Sequence, residues 1–228
     1  MKLSVIVPVY NEIKTIEQII QKIINVDLEK EIIIVDDGST DGSKEYLESL
    51  KKQNLQGINI FFHEKNQGKG VAIRTGIEQV GGQMVVVQDA DLEYDPNDYL
   101  RLVAPIENGE YKVVYGSRNL AIEMPGRKLY NLGSIFLSKL ANFLYGINIT
   151  DEATCYKVID TEVLKKIDLK CRRFEFCPEV TAKLSKQKYK ILEIPIYYSP
   201  RSRESGKKIK LSDGLSAAWT LIKYRFIN

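Results

Sequence analysis

The chain has 228 residues and 26.0 kDa, 44% of them hydrophobic and 28% charged, the size and balance of one globular domain and too apolar for disorder. Three cysteines with no C-x-x-C pair and a single histidine, His63, argue against a disulfide framework and a multi-histidine metal centre. A net charge of +3 conceals 12 Lys+Arg against 19 Asp+Glu in residues 1–115 and 21 against 11 in 116–228, an acidic half suited to a cation and a basic half suited to an anionic partner.

Ser4–Val9 reads as a buried strand, followed by Ile13, Ile16, Ile19, Ile20, Ile23 and Ile24 at helical spacing. Strand Ile32–Val35, helix Ser43–Lys52, strand Ile58–Phe62, helix Gly70–Gln79 and strand Met84–Val87 come next, then helix Asn97–Ile106 and strand Lys112–Tyr115. Beyond Arg118 an apolar stripe runs through Leu129, Leu132, Ile135, Phe136, Leu140, Phe143 and Leu144. Strands Tyr156–Ile159 and Ile191–Ile196 flank a helix near Pro178–Gln187. A basic loop, 201–210, precedes an amphipathic helix with Leu211, Leu215, Ala218, Trp219, Ile222 and Phe226 on one face. Alternating strands and helices predict an α/β fold: a mostly parallel sheet with helices on both faces, in a single domain over 1–228. No run approaches the roughly 18 apolar residues of a membrane span, and Met1–Val5 carries no leader pattern. A reducing, cytoplasmic compartment is expected, with no nucleic-acid partner.

Ligands of open α/β sheets bind beyond the carboxyl ends of the strands. There the chain places Tyr10-Asn11-Glu12, Asp36-Asp37-Gly38-Ser39, Asp89-Ala90-Asp91-Leu92-Glu93 and Gly116-Ser117-Arg118. No G-x-x-x-x-G-K-[ST] occurs, and the first glycine is Gly38, so neither a P-loop nor a dinucleotide fingerprint follows the first strand. Acid stands there instead. Asp89, Asp91 and Glu93 are spaced so that their carboxylates share one side of an extended backbone, a set suited to Mg²⁺ or Mn²⁺ completed by phosphate oxygens and water. Solvated acids capping the next helix are the bland alternative.

Val7-Pro8-Val9-Tyr10-Asn11-Glu12, Val35–Gly42, Asn66-Gln67-Gly68-Lys69-Gly70, Asp89-Ala90-Asp91 and Gly116-Ser117-Arg118 together resemble glycosyltransferase family 2, most closely its dolichol-phosphate mannosyltransferase group. The likeness is tight over 4–118 and looser beyond, through Arg127-Lys128, Thr150-Asp151, Thr154–Lys157 and Arg201-Ser202-Arg203. It implies a GT-A fold with a donor half (1–118) and an acceptor half (119–228). It also implies an inverting, metal-dependent transfer from a GDP- or UDP-sugar to a polyprenyl or dolichyl phosphate. Pro8, Tyr10, Glu12, Asp37, Gly68, Lys69, Asp89 and Ala90 would then bind the nucleotide sugar, with Asp37 on the base. Asp89, Asp91 and Glu93 would hold the metal, Asp91 foremost, and Glu93 stands where the family often has Gln. Arg118 would assist the leaving group, and Arg118, Arg127, Asn131, Arg201 and Arg203 would hold the acceptor phosphate beside Lys207 and Lys208.

A phosphate monoester is largely dianionic at neutral pH and needs no general base. A hydroxyl acceptor on a saccharide needs one, for which Asp151 or Glu152 are the candidates. A non-catalytic nucleotide-sugar sensor is the third reading. The Leu129–Leu144 stripe is expected to cover the core with one face and touch lipid with its rim, giving peripheral contact with the inner face of the membrane. His63 is expected to be structural, Trp219 a core residue or interface anchor, Cys171 and Cys177 ordinary buried thiols, and the Asn148 sequon unused.

Overall fold

The computed structural model describes residues 1–120, 132–201 and 211–227, the side chain of Leu211 excepted. Strand β1 (Leu3–Val9) is buried at all seven positions, the unbroken apolar run of a central strand covered on both faces. Its parallel neighbours are β2 (Lys30–Asp36) and β4 (Met84–Val87), and β3 (Ile58–Phe62) lies outside β2. The full order is β3-β2-β1-β4-β6-β5-β7, with β5 at Val113–Ser117, β6 at Lys157–Asp160 and β7 at Ile191–Pro195. Strand β6 is antiparallel to both β4 and β5, a reversal that its apolar run alone does not disclose. Its amino end therefore reaches the rim where the other strands have their carboxyl ends.

Helix α1 (Ile16–Asn25) buries Ile16, Ile19, Ile20 and Ile23, four positions on one helical stripe. It shares one face of the sheet with α2 (Ser43–Lys52) and α4 (Tyr99–Glu107), against Leu3, Val5, Val7 and Val9. The opposite face carries α3 (Lys69–Glu78), α5 (Leu132–Tyr145), a short α6 (Thr161–Lys165) that the periodicity does not reveal, α7 (Phe176–Lys186) and α8 (Leu211–Phe226). The helix expected from Asn97 begins instead as a 3₁₀ turn, Pro96–Asp98, whose Asp95 side chain accepts from the Asn97 amide.

The apolar stripes of α5 and α8 differ from the expected ones. Helix α5 buries Leu137, Ser138 and Ala141, and α8 buries Ala217, Thr220, Leu221 and Tyr224. Leu132, Phe136, Phe143, Leu215, Trp219 and Phe226 face outward, each more than half exposed. The two helices thus turn a mixture of small and larger residues inward, while these other large apolar side chains stay in contact with the surroundings.

Strand β1 continues past the end of its pairing with β4, which stops at Ile6–Val87. The chain leaves β1 toward β2 on one side and β4 toward β5 on the other, so the switch-point crevice of such sheets falls between these two strands.

Candidate active site

On the β2 side of the crevice, Asp37 is an organising group. Its Oδ1 accepts from the Gln67 amide at 2.9 Å and lies 2.7 Å from His63 Nδ1, and its Oδ2 accepts from the Gly68 amide at 2.8 Å. The loop is pressed close: a side chain on Gly38 (φ +72°) would meet Lys65 and Asn66 backbone at 2.6–2.7 Å, and one on Gly68 (φ +104°) would meet the Arg172 carbonyl oxygen at 2.3 Å. Only glycine fits either position. The β1 turn is tied to the same region. Asn11 adopts φ +52°, its amide donates to Ser39 Oγ at 2.9 Å, and its own Oδ1 accepts from the Thr40 amide at 2.8 Å.

The β4 side carries the acids. Residues 89–93 are not extended, as the i, i+2 spacing predicts, but form a turn with Leu92 at φ +63°, in which Asp91 Oδ1 accepts from the Glu93 amide at 3.1 Å. The turn aims the carboxylates at separate cations of the chain. Asp89 Oδ1 lies 2.5 Å from Lys69 Nζ, which also donates to Cys155 Sγ at 3.2 Å. Arg201 takes the others: 3.1 Å to Glu12 Oε2, 3.0 Å to Asp91 Oδ2 and 3.8 Å to Glu93 Oε1. Burial opposes the charge on Asp89, but Lys69 and Cys155 outweigh it and hold the carboxyl below its usual range. Asp91 is the reverse case. Burial first, then the Asp89 and Glu93 charges, raise its pKa to about 7 against the pull of Arg201.

Glu93 anchors the segment that delivers Arg201. Its Oε1 accepts from the Arg201 amide at 2.8 Å, its Oε2 from the Tyr198 hydroxyl at 2.7 Å, and its carbonyl from the Ser199 amide at 2.8 Å. Tyr94 bridges to Tyr198 across the same contact.

Beyond β4, the segment leading into β6 supplies Asp151. It binds Arg118 in a fork, Nε to Oδ2 and Nη2 to Oδ1, both at 2.7 Å, and takes the Arg118 amide at 2.9 Å. The guanidinium also lies over the Tyr198 ring, 5.0 Å from its centroid. Glu152 is fully buried, neither carboxylate oxygen has a hydrogen-bond partner, and burial pushes its pKa up to about 7.

The structure thus brings Pro8, Tyr10, Glu12, Asp37, Gly68, Lys69, Asp89, Ala90, Asp91, Glu93, Arg118 and Arg201 to one edge of the sheet, while Arg127, Asn131 and Arg203 lie outside the described residues. Asp89, Asp91 and Glu93 are neighbours here but are pointed at Lys69 and Arg201; among the described residues no three His, Cys, Asp or Glu side chains form a ready metal cage. His63 and Tyr198 are parts of the site that the motifs did not announce, and Cys155 and Asp151, which lie in the looser motifs, were not expected as partners of Lys69 and Arg118. For His63 the only signal was its place at a strand end.

A family model described as glycosyl transferase family 2 matches residues 4–168. A UDP-N-acetylglucosamine–dolichyl-phosphate N-acetylglucosaminyltransferase of Methanococcus voltae is 30% identical over 90% of this chain and 90% of its own length. A polyprenol monophosphomannose synthase of Mycolicibacterium smegmatis is 28% identical over 94% and 85%. A dolichol-phosphate mannosyltransferase of Pyrococcus furiosus is 31% identical over 91% of the chain, which spans 59% of that relative. In fold, the chain superposes on glucosyl-3-phosphoglycerate synthase of Mycobacterium tuberculosis, solved with Mn²⁺, UDP and phosphoglyceric acid. The TM-score is 0.75 at 20% identity, covering 100% of this chain and 79% of the other. The chain is a GT-A-type member of glycosyltransferase family 2.

Proposed function

We propose that the chain transfers a sugar, with inversion, from a nucleotide-diphosphate sugar to a polyprenyl phosphate at a membrane surface. The observation that carries this reading is the gathering of Glu12, Asp89, Asp91 and Glu93 at the switch-point crevice, each beside a cationic side chain of the acceptor or donor half. The relatives' names supply the acceptor class: dolichyl phosphate, dolichol phosphate and polyprenol.

The donor set suits a divalent cation. Buried carboxylates crowd so closely that Asp91 resists ionisation, and a guanidinium already stands among three of them as an internal counter-ion. Asp89, Asp91 and Glu93 would hold Mg²⁺ or Mn²⁺, the latter bound in solved structures of the same fold. When bound, the ion would neutralise the charge that develops on the departing nucleoside diphosphate. Lys69, paired with Asp89 at 2.5 Å, adds positive charge beside the same place. Arg201 stands at the junction of both halves, where it can present an acceptor phosphate to the sugar without taking a proton from it.

The hydroxyl-acceptor reading is weaker on these contacts. Asp151 spends both oxygens on Arg118, and Glu152 is sealed inside the protein. Neither is disposed as a base.

The outward apolar side chains of α5 and α8 fit a lipid surface, with Phe143 86% and Phe226 80% exposed. The two helices lie in contact. Among the described residues no helix is long and apolar enough to cross a membrane; the proposed contact is made by the exposed side chains of α5 and α8 lying against the lipid surface.

Incubation with radiolabelled UDP- and GDP-sugars, Mn²⁺ and polyprenyl phosphate vesicles tests the proposal. A solvent-extractable, acid-labile labelled lipid is expected. Label appearing only in water-soluble saccharide overturns it.

A further inference from the structure

Asp37 has four lone-pair positions for hydrogen bonds, two on each oxygen. Oδ1 is full, with the Gln67 amide at 2.9 Å and His63 Nδ1 at 2.7 Å. Oδ2 holds one donor, the Gly68 amide at 2.8 Å. A carboxylate only accepts, so the His63 proton belongs on Nδ1. The bare Nε2 then accepts from the Thr75 hydroxyl at 3.0 Å, a tautomer assigned from the network. His63 is itself held from behind, its amide donating to the Asp36 carbonyl at 2.8 Å, and its side chain is 10% exposed.

One acceptor position therefore remains, on Oδ2. Guanine presents two adjacent donors, N1–H and the exocyclic amine, which pair with both oxygens of a carboxylate. Cytosine and adenine each present a donor beside a ring acceptor that a carboxylate repels. Uracil presents a single imide N–H between two carbonyl oxygens, which keep a carboxylate's second oxygen away and so suit one free acceptor position. Because Asp37 is nearly buried, 3% exposed, a base that reaches it does so without water, and a second donor left unmatched is costly.

We propose that the donor nucleotide carries a uracil-type base, and that His63, fixed by Thr75, sets this choice by filling Oδ1 of Asp37. This rests on the reading that the chain binds a nucleotide sugar with Asp37 on the base. His63 is then a positioning and specificity residue acting through Asp37.

Calorimetric titration of the full chain with UDP and with GDP, at one fixed Mn²⁺ concentration, tests it, because the affinity ratio cancels what the phosphates contribute. UDP is expected to bind at least about tenfold more tightly than GDP, the effect of one unmatched buried donor. His63→Ala opens Oδ1 and is expected to bring the ratio toward one, while His63→Asn, whose amide nitrogen stands near the Nδ1 position, keeps it. Should His63→Ala not fold, His63→Gln carries the same test, since its longer amide reaches toward Thr75 and leaves Oδ1 open. GDP binding as tightly as UDP in the unaltered chain overturns the inference. So does a ratio unmoved when Oδ1 is opened. Preference for GDP defeats this inference alone, whereas an unaltered chain that binds neither nucleotide defeats the proposed function with it.

Discussion

Replacing Arg201 by methionine is expected to tighten Mn²⁺ binding to the nucleotide-free chain. The guanidinium lies 3.0 Å from Asp91, 3.1 Å from Glu12 and 3.8 Å from Glu93, with its side chain only 17% exposed. An incoming cation has to displace it. Hydrogen bonds to charged groups contribute about 1.5–3 kcal/mol each, and the buried Arg201 Nε lacks any hydrogen-bond partner, which offsets part of that gain. A net contribution of about 2 kcal/mol corresponds to roughly 30-fold in affinity at 1.4 kcal/mol per decade. All the partners are less than one-fifth exposed, so salt screening reduces the figure only modestly. Loss of the hexaaqua Mn²⁺ signal by electron paramagnetic resonance, without donor or acceptor, measures it directly. The same variant is expected to need more polyprenyl phosphate for half-maximal rate. Mn²⁺ bound no more tightly by Arg201→Met than by the unaltered chain refutes the idea that this side chain occupies the cation's place.

Asp151→Asn is expected to lower stability by about 3–5 kcal/mol, the cost of stranding the buried Arg118 charge, read as a fall in the urea midpoint. Glu152 is expected to make stability pH-dependent. Its folded pKa of about 7 exceeds the ordinary 4.5, so the folded chain binds the extra proton and loses stability as pH rises from about 4.5 to 7. Glu152→Gln is therefore expected to gain on the unaltered chain across that window, by up to about 3 kcal/mol above pH 7. Parallel melting curves at pH 5 and pH 8 with a constant difference would contradict this. Gly68→Ala, strained in φ and 2.3 Å from the Arg172 carbonyl oxygen, is expected to cost about 1–3 kcal/mol and to weaken nucleotide binding, checked by melting and titration together.

Local signals made the donor half legible. Isoleucines at 16, 19, 20 and 23 announce α1 because a helix must repeat its buried face, and the unbroken run from Leu3 to Val9 announces a central strand. The acids were legible as rim residues once the strands were placed. Their partners were not, because pairing between positions 12 and 201, or 93 and 198, is set by how the sheet closes. The direction of β6 was hidden for the same reason: an antiparallel strand buried on both faces has the same composition as a parallel one. The stripes on α5 and α8 misled where periodicity is usually dependable. Apolar spacing identifies a face but not the solvent that the face meets, and here Leu137, Ala141, Ala217 and Leu221 were drawn inward while Phe136, Phe143, Leu215 and Trp219 were left outside. His63 shows the converse, since one side chain at a strand end gains its role only through Asp37 and Thr75.

The chain's single tryptophan, Trp219, stands on that outward face of α8, 64% exposed. Intrinsic emission excited at the indole band thus samples one surface and none of the interior. Adding liposomes should shift it to the blue and shield it from aqueous iodide only where α8 meets the bilayer, so the native polypeptide carries its own optical gauge of adsorption.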